Sequence, residues 1–263
     1  MALTLLFLYA PIFVLIVFSF NSTKSRTVWS GFTLNWYREL LQDATILNSL
    51  YVTLVLSVLA AVIATIAGTF AAIGFYNMRQ RWRTPLLSIN NIPMVNADIV
   101  TGVSLCILFV SLGSIFKFSL GFGTLLIAHI TFNIPYVVLS IMPKLQQLDH
   151  NLVDAAQDLG CTWIQAFRKV VIPEIMPGII NGMIIAFTMS VDDFVISYFT
   201  AGSKVQTLSM TIFSMTRKRI SPKINALSTL LFLLVLILLL VINIRESRLE
   251  KKVKKRASLS GKQ

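Results

Sequence analysis

Three carboxylates lie where a carboxylate is costly. Asp98, Asp192 and Asp193 all fall inside long apolar runs, and a charged side chain at the centre of a spanning helix costs roughly 2.5–3.5 kcal/mol on insertion scales. In an apolar wall such groups can line a water-filled path for a cation. They can equally be structural acids held by helix-interface donors such as Ser190 or Thr188. A helix starting near Gly178 places Asp192 about 21 Å along its axis, and one starting near Pro85 places Asp98 about 20 Å along, at about 1.5 Å per residue. The two acids then share a depth. Adjacent helical residues point roughly 100° apart, so Asp192 and Asp193 cannot both face one narrow pore, and one of them is left to pair or cap elsewhere. Asn133, with Pro135 close behind it, adds a polar group to another apolar run, and Asn90, Asn91, Pro93 and Asn96 add a polar, proline-bearing stretch beside Asp98. A proline there predicts a kink whose freed carbonyl is met by polar side chains.

A second cluster lies in a polar loop. Asp154-Ala155-Ala156 is followed after three residues by Gly160, and after nine more by Val170-Val171-Ile172-Pro173. Residues 151–160 read as a short helix with Asn151 as N-cap, Asp158 near its end and Gly160 as its stop, and Thr162 to Val171 as a second amphipathic stretch ending at Pro173. Two alanines allow close approach of a neighbour, and the glycine permits a sharp exit. The chemistry that is missing is equally informative. There is no G-x-x-x-x-G-K-[ST] phosphate loop and no H-E-x-x-H. Neither His129 nor His150 has a Ser or Cys arranged for nucleophilic catalysis, and His129 reads as a hydrogen-bonding group between helices. Cys106 and Cys161 have neither metal-ligand spacing nor a disulfide framework. No catalytic residue, metal ligand or cofactor is expected in this chain, which by itself hydrolyses nothing.

The elements that must position these residues are set by composition. Of 263 residues, 56% are hydrophobic and 13% charged, against about 25% charged in a soluble domain. Six apolar runs can be drawn, Met1–Phe20, Ile46–Tyr76, Leu86–Phe116, Leu120–Met142, Ile175–Thr200 and Ile224–Ile244, where a span needs roughly 20 residues. In lipid every backbone polar group must be satisfied within the segment, so these runs predict an all-α, polytopic membrane protein of about six transmembrane helices. Residues 1–263 read as a single transmembrane domain, with 148–173 a loop inside it and 245–263 a basic tail; no linker or internal repeat divides the chain. The first run has no basic leader and no small-residue cleavage site, and is read as a retained span.

The net charge of +12 does not indicate nucleic acid, because the basic residues lie between and after apolar runs rather than among base-stacking aromatics. With the N-terminus inside, fourteen Lys and Arg fall on the inner side and nine on the outer, which favours both termini in the cytoplasm and the tail beside anionic lipid headgroups.

The loop pattern resembles the signature cytoplasmic loop of bacterial ABC-importer permeases, E-A-A-x3-G-x9-I-x-L-P. Spacing matches at every position, with Asp154 for Glu, Val170 for Ile and Ile172 for Leu. Gly31-Phe32-Thr33-Leu34-Asn35-Trp36-Tyr37, His129 to Pro135, Ser190-Val191-Asp192-Asp193 and Ser221 to Ala226 extend the likeness over most of the chain and look like the C-type permeases of spermidine/putrescine systems. The stretch from Asn90 to Asn96 departs from it, being richer in asparagine. The resemblance implies a type I ABC-importer permease fold in a bacterial inner membrane. It implies that Asp154, Ala155, Ala156, Asp158, Gly160 and Pro173 couple the chain to an ATP-binding subunit dimer, which holds the ATP and Mg. The other partners implied are a homologous second permease forming a heterodimer, an extracytoplasmic substrate-binding protein, membrane lipid and a polyamine substrate. On this reading Asp98, Asp192, Asp193 and Asn133 line the substrate path by alternating access. An anion importer would find those acids repulsive, whereas relatives carrying ferric iron or another small solute share the scaffold. A stand-alone secondary transporter would be expected to show inverted repeats and its own coupling-ion sites, and neither is visible.

Overall fold

The computed structural model describes residues 2–23, 28–218, 222–233, 235–237 and 240. The expected basic tail, 245–263, lies outside them. Among the described residues the chain consists of helices and their short connections, with one isolated antiparallel bridge between Asn21 and Phe32. In chain order the helices are α1 (Ala2–Phe18), α2 (Asn35–Gln42), α3 (Ala44–Asn77), α4 (Gln80–Val95), α5 (Asp98–Phe116), α6 (Phe122–Gln146), α7 (His150–Asp158) and α8 (Trp163–Ala166). A π-turn at Phe167–Val171 then leads into α9 (Ile172–Asp192), α10 (Val195–Thr200), α11 (Leu208–Lys218) and a helix over 222–233, here α12.

Four helices are long and apolar enough to cross a membrane: α3, α5, α6 and the continuous helix Trp163–Asp192. α1 and α12 are shorter apolar helices, with part of the sixth run outside the described residues. Two of the six runs are not single helices. The third breaks at Asn96–Ala97, where both residues take extended backbone. Asp98 therefore opens α5 instead of lying thirteen residues inside a helix begun near Pro85. Pro93 supplies no N–H to the preceding turn, and α4 buries no residue that would hold the helix straight. The fifth run breaks at Asp193–Phe194. The amphipathic α11 is a further difference, lying between the fifth and sixth apolar runs and outside both.

The chain divides into two compact units, residues 49–210 and the two chain ends, 1–48 with 211–263. Within 49–210 the strongest association is between α6 and α9. Gly178, Gly182, Ala186 and Ser190 recur every fourth residue and are buried on one face of α9. A Cβ on Gly178 would stand 3.0 Å from Ser140 O, and one on Gly182 3.2 Å from Val137 Cα. Small residues are what allow backbones to approach this closely in a membrane, where apolar burial drives no association. Gly68 on α3 also meets Val137, so α3 packs closely on α6 as well. Hydroxyls within the apolar helices turn back onto their own backbone, as Thr69 does to Thr65 O (2.6 Å), Ser140 to Tyr136 O (2.9 Å) and Thr188 to Ile184 O (2.9 Å). That settles their polarity without a partner helix.

In the unit of chain ends, Asn21 is fully buried. Its amide donates to Val28 O (2.8 Å) and accepts from Ser30 N (3.0 Å), while its carbonyl accepts from Trp36 Nε1 (2.7 Å). This ties α2 to the end of α1. Asp43 follows α2 and caps α3, accepting from the backbone N–H of Thr45 (3.0 Å) and Ile46 (3.4 Å) as well as from the Lys223 ammonium of α12. The Lys223 hydrogen bond, helped by the two backbone donors and opposed in part by burial, holds the Asp43 carboxyl below its ordinary value of 3.8. A folded value below the unfolded one gives a contribution complete above 3.8 and lost as pH falls through the folded value. Thermal unfolding of the detergent-solubilised protein at stepped acid pH is expected to show a shallower acid loss in Asp43→Asn than in the wild type. Equal acid slopes would remove this ion pair from the account.

Candidate functional site: the loop elbow and the acidic helix breaks

The loop 148–173 folds as two short helices at an elbow. Asp149, not Asn151, is the N-cap of α7, its carboxylate accepting from Asn151 N at 3.0 Å. An aspartate two positions earlier reaches the free N–H groups of the first turn and also faces the positive end of the helix. At the other end Gly160 has φ +85°, with Gly160 N donating to Gln157 O (2.8 Å) and Cys161 N to Ala156 O (3.1 Å). This left-handed glycine closes α7 with paired reverse hydrogen bonds. A Cβ on Gly160 would meet nothing within 4 Å, so the requirement for glycine is its backbone angle and not space.

Thr162 then caps α8 in a reciprocal box with Gln165, Thr162 N to Gln165 Oε1 at 3.0 Å and Gln165 N to Thr162 Oγ1 at 3.4 Å. The stretch expected to stop at Pro173 does not. It passes through the π-turn and Pro173 into α9 as one helix. The extra residue of the π-turn widens the backbone where the proline ring would otherwise press on the carbonyl of Lys169, four residues back.

Asp154, Ala155, Asp158, Gly160 and Pro173 are exposed and Ala156 half-buried. Large apolar side chains share that outer surface, among them Leu159 at 87% exposure and Trp163 at 64%. On the inner side Val153 and Phe167 pack against the core of α3, α6 and α9. The elbow thus carries an apolar outer face with two carboxylates beside it, and its second helix, α8, is directly continuous with a spanning segment.

The three acids take different positions. Asp192 is the last residue of α9 and is exposed. Asp193 occupies the break, with a side chain only 9% exposed. Its two oxygens accept from Ile196 N (3.2 Å) and Ser197 N (2.7 Å), so it caps α10. His129 of α6, fully buried, sets Nε2 3.1 Å from Ser197 Oγ and 3.5 Å from Asp193. Of the adjacent pair, Asp193 is therefore the acid that caps and Asp192 the one left facing outward. Asn133, one turn beyond His129, is fully buried and donates to Ser190 Oγ at 2.7 Å. It lies within the α6–α9 interface and not on a surface that a solute could touch. Thr124 completes the series by donating to Thr200 O at 2.8 Å.

Asp98 is exposed at the first turn of α5. The two breaks are neighbours: a Cβ on Gly102 would stand 3.4 Å from Ile196 Cα and 3.5 Å from Val195 O. The first turns of α5 and α10 thus run against each other, Asp98 one turn before that contact and Asp193 two residues before Val195. Spacing alone did not reveal the break at 193–194, whereas the expected role of His129 as a hydrogen-bonding group between helices agrees with its contact to Ser197. The every-fourth small residues of α9 were a readable signal for the interface that holds both.

Long apolar helices, two interrupted spans and a capped elbow between them define a multi-pass membrane permease. Residues 64–255 match the family described as the binding-protein-dependent transport system inner membrane component, and the chain belongs to that family. It is 40% identical over 228 residues to the putrescine transport system permease protein PotI of Escherichia coli K12, covering 86% of this chain and 81% of the relative. It is 37% identical over 234 residues to the spermidine/putrescine transport system permease protein PotC of the same strain, covering 89% and 87%. Among solved structures it resembles a bacterial ABC transporter involved in import of the acidic polysaccharide alginate, with TM-score 0.69, 15% identity and 92% of each chain covered. That likeness shows the fold alone. An amino acid ABC transporter gives a TM-score of 0.60 at 20% identity, over 82% of this chain and 99% of that one.

Removing a cap that serves two backbone donors costs about 1–2 kcal/mol. Asp193→Ala is expected to lose that much stability, while Asp192→Ala stays within about 0.5 kcal/mol of the wild type, as exposed substitutions do. Denaturation of the purified variants in detergent checks the contrast, and equal losses would contradict the division of roles.

Proposed function

We propose that this chain is a membrane-spanning permease subunit of an ATP-driven importer that takes up spermidine or putrescine by alternating access. The chain does not itself hydrolyse ATP. It pairs with a homologous permease, receives substrate from an extracytoplasmic binding protein, and is driven by a separate ATP-binding dimer that holds ATP and Mg. Both chain ends and the loop 148–173 lie in the cytoplasm.

The observation that carries this reading is the elbow. An exposed apolar face and two carboxylates sit at a bend where α7, closed by a left-handed glycine, meets the helix Trp163–Asp192 that contains α9. A partner that grips Asp154, Ala155, Ala156 and Asp158 has, through Gly160 and Pro173, a direct mechanical route to the break at Asp193. The exposed acids at the two breaks support a cationic substrate. Asp192 and Asp98 stand free of the capping role that occupies Asp193, and a polycation leaving water gains most where fixed carboxylates replace part of its hydration. Asn133 and Asp193 position that pathway from inside the protein rather than touching the solute. The names of the relatives point to the same substrate class.

Uptake of labelled spermidine or putrescine into cells expressing the full system, with competition by an unrelated diamine and by ferric iron, tests the substrate. Competition by iron and not by polyamine would move the chain to another branch of the family. Asp192→Asn is expected to reduce polyamine uptake about tenfold while the complex still co-purifies. Gly160→Val forces a β-branched residue into the left-handed region. It is expected to lower uptake per ATP hydrolysed by about tenfold, as read in reconstituted vesicles. Wild-type transport in the glycine variant would refute the elbow as the coupling element.

A further inference from the structure

Directly behind the elbow lies a cavity of about 180 Å³. Its walls come from α3 (Ile73 and Tyr76), the end of α6 (Leu145), α7 (Val153) and the π-turn itself, where Phe167 and Val171 are both lining residues. Apolar and aromatic side chains make up most of the wall. The cavity opens outward beside Asp154 and Trp163 of the elbow, leaving Phe167 and Val171 unpacked on that side, and it sits where the helix is least regular.

The backbone is loosely tied over the same stretch. Ile172 N donates to Phe167 O, a bond spanning five residues instead of four, in a geometry rare outside functional sites. Pro173 and Pro177 supply no N–H to the turns before them, so the carbonyls of Lys169 and Pro173 lack their ordinary helical donors. From Gly178 onward the position changes. Gly178 and Gly182 are packed against the α6 backbone closely enough that an added Cβ would stand 3.0 Å from Ser140 O or 3.2 Å from Val137 Cα, and Ser190 is bonded to Asn133. The helix Trp163–Asp192 therefore has a fixed segment, 178–192, and a loosely bonded one, 163–177. Trp163 and Phe167 stack with centroids 5.7 Å apart and planes at 10°, so α8 and the first residue of the π-turn share one aromatic face and can move together.

We infer that the π-turn Phe167–Val171 is the joint of the coupling lever, with Phe167 as its moving part and the cavity as the space the ring enters when the elbow is pushed. Redistribution of the five-residue bonds into four-residue bonds shifts the register of everything before the joint by one residue, about 1.5 Å of rise and 100° of rotation. The fixed segment passes on the resulting push. This inference rests on the coupling role proposed for 148–173, and it assigns positioning residues outside the loop pattern.

The test fills the cavity from its α3 wall, using the complete complex in vesicles. Ile73→Phe occupies the void without altering any residue of the loop, and Ile73→Ala enlarges it. Ile73→Phe is expected to keep the melting temperature and the ATP hydrolysis rate of the wild type but to lose about tenfold in uptake per ATP. Ile73→Ala is expected to melt at lower temperature yet remain coupled. A purely structural cavity predicts the reverse order, with alanine the worse transporter, and that result would overturn the joint.

Hydrogen exchange in the intact wild-type complex provides a second reading. Protection at amides 168–176 is expected to change between nucleotide-free and ATP-trapped states, while amides 180–190 stay constant. Unchanged exchange at 168–176 would likewise overturn it. If the wild-type complex itself shows no ATP-dependent uptake, the coupling role fails first, and that failure is distinct from a coupled wild type whose Ile73→Phe variant transports normally.

Discussion

The close seam between α6 and α9 is the contact on which the rest of the larger unit depends. Inside a bilayer, apolar burial gives no reason for two helices to meet, and polar groups have no water to fall back on. Gly178, Gly182 and Ala186 meet the first difficulty by letting the backbones approach. The closeness they create meets the second, since Asn133 can then reach Ser190, and His129 can reach Ser197 and the edge of Asp193. Each polar rung is intelligible only because the small residues bring its partner within reach. A larger residue at Gly182 would separate not only its own neighbours but also the donors and acceptors further along.

That seam gives α9 two ends with different characters. One end continues into the π-turn and the elbow, where bonds are few and a cavity adjoins. The other stops at Asp193, whose carboxylate holds the first turn of α10, which in turn lies against the first turn of α5. The 21 residues of α9 extend about 32 Å at the usual rise, comparable with the hydrocarbon thickness of about 30 Å. On the proposed coupling role, a rod of that length, softened at one end and pinned at a junction of two helix breaks at the other, would convert a push at the elbow into a rearrangement where Asp98 and Asp192 are displayed. No acid needs to move independently of the scaffold.

Neighbouring acids with unlike duties illustrate how position determines chemistry. Asp192 and Asp193 are identical in type and adjacent in sequence, yet one is exposed and the other is spent on two backbone donors and a histidine. The helix ends between them, so their separation is set by the start of extended backbone at Asp193 and not only by the roughly 100° of a continuous helix. The same event places Asp98 at a helix start, where a carboxylate faces free N–H groups and the positive end of the dipole. Broken helices tolerate acids in an apolar run because the break itself supplies donors.

Much of this was legible in the residues alone. The length and purity of the apolar runs required helices, since nothing else satisfies the backbone in lipid, and Asp154-Ala155-Ala156 with Gly160 and Pro173 in register marked the elbow. The requirement that Asp192 and Asp193 take separate roles followed from helical geometry. Which acid would cap was not legible, because it depends on where α9 ends and on His129 arriving from α6. Nor were the two breaks, since Asn96–Ala97 and Asp193–Phe194 lie in runs apolar enough to be helical throughout. Local preference fixes where a helix is permitted; only the packing of α5, α6, α9 and α10 decides where one must stop, because only packing determines which backbone groups find a better partner than the next turn. The capping of α7 by Asp149 instead of Asn151 is the same lesson at short range, two acceptable caps decided by which one the chain direction out of α6 brings to the first free N–H.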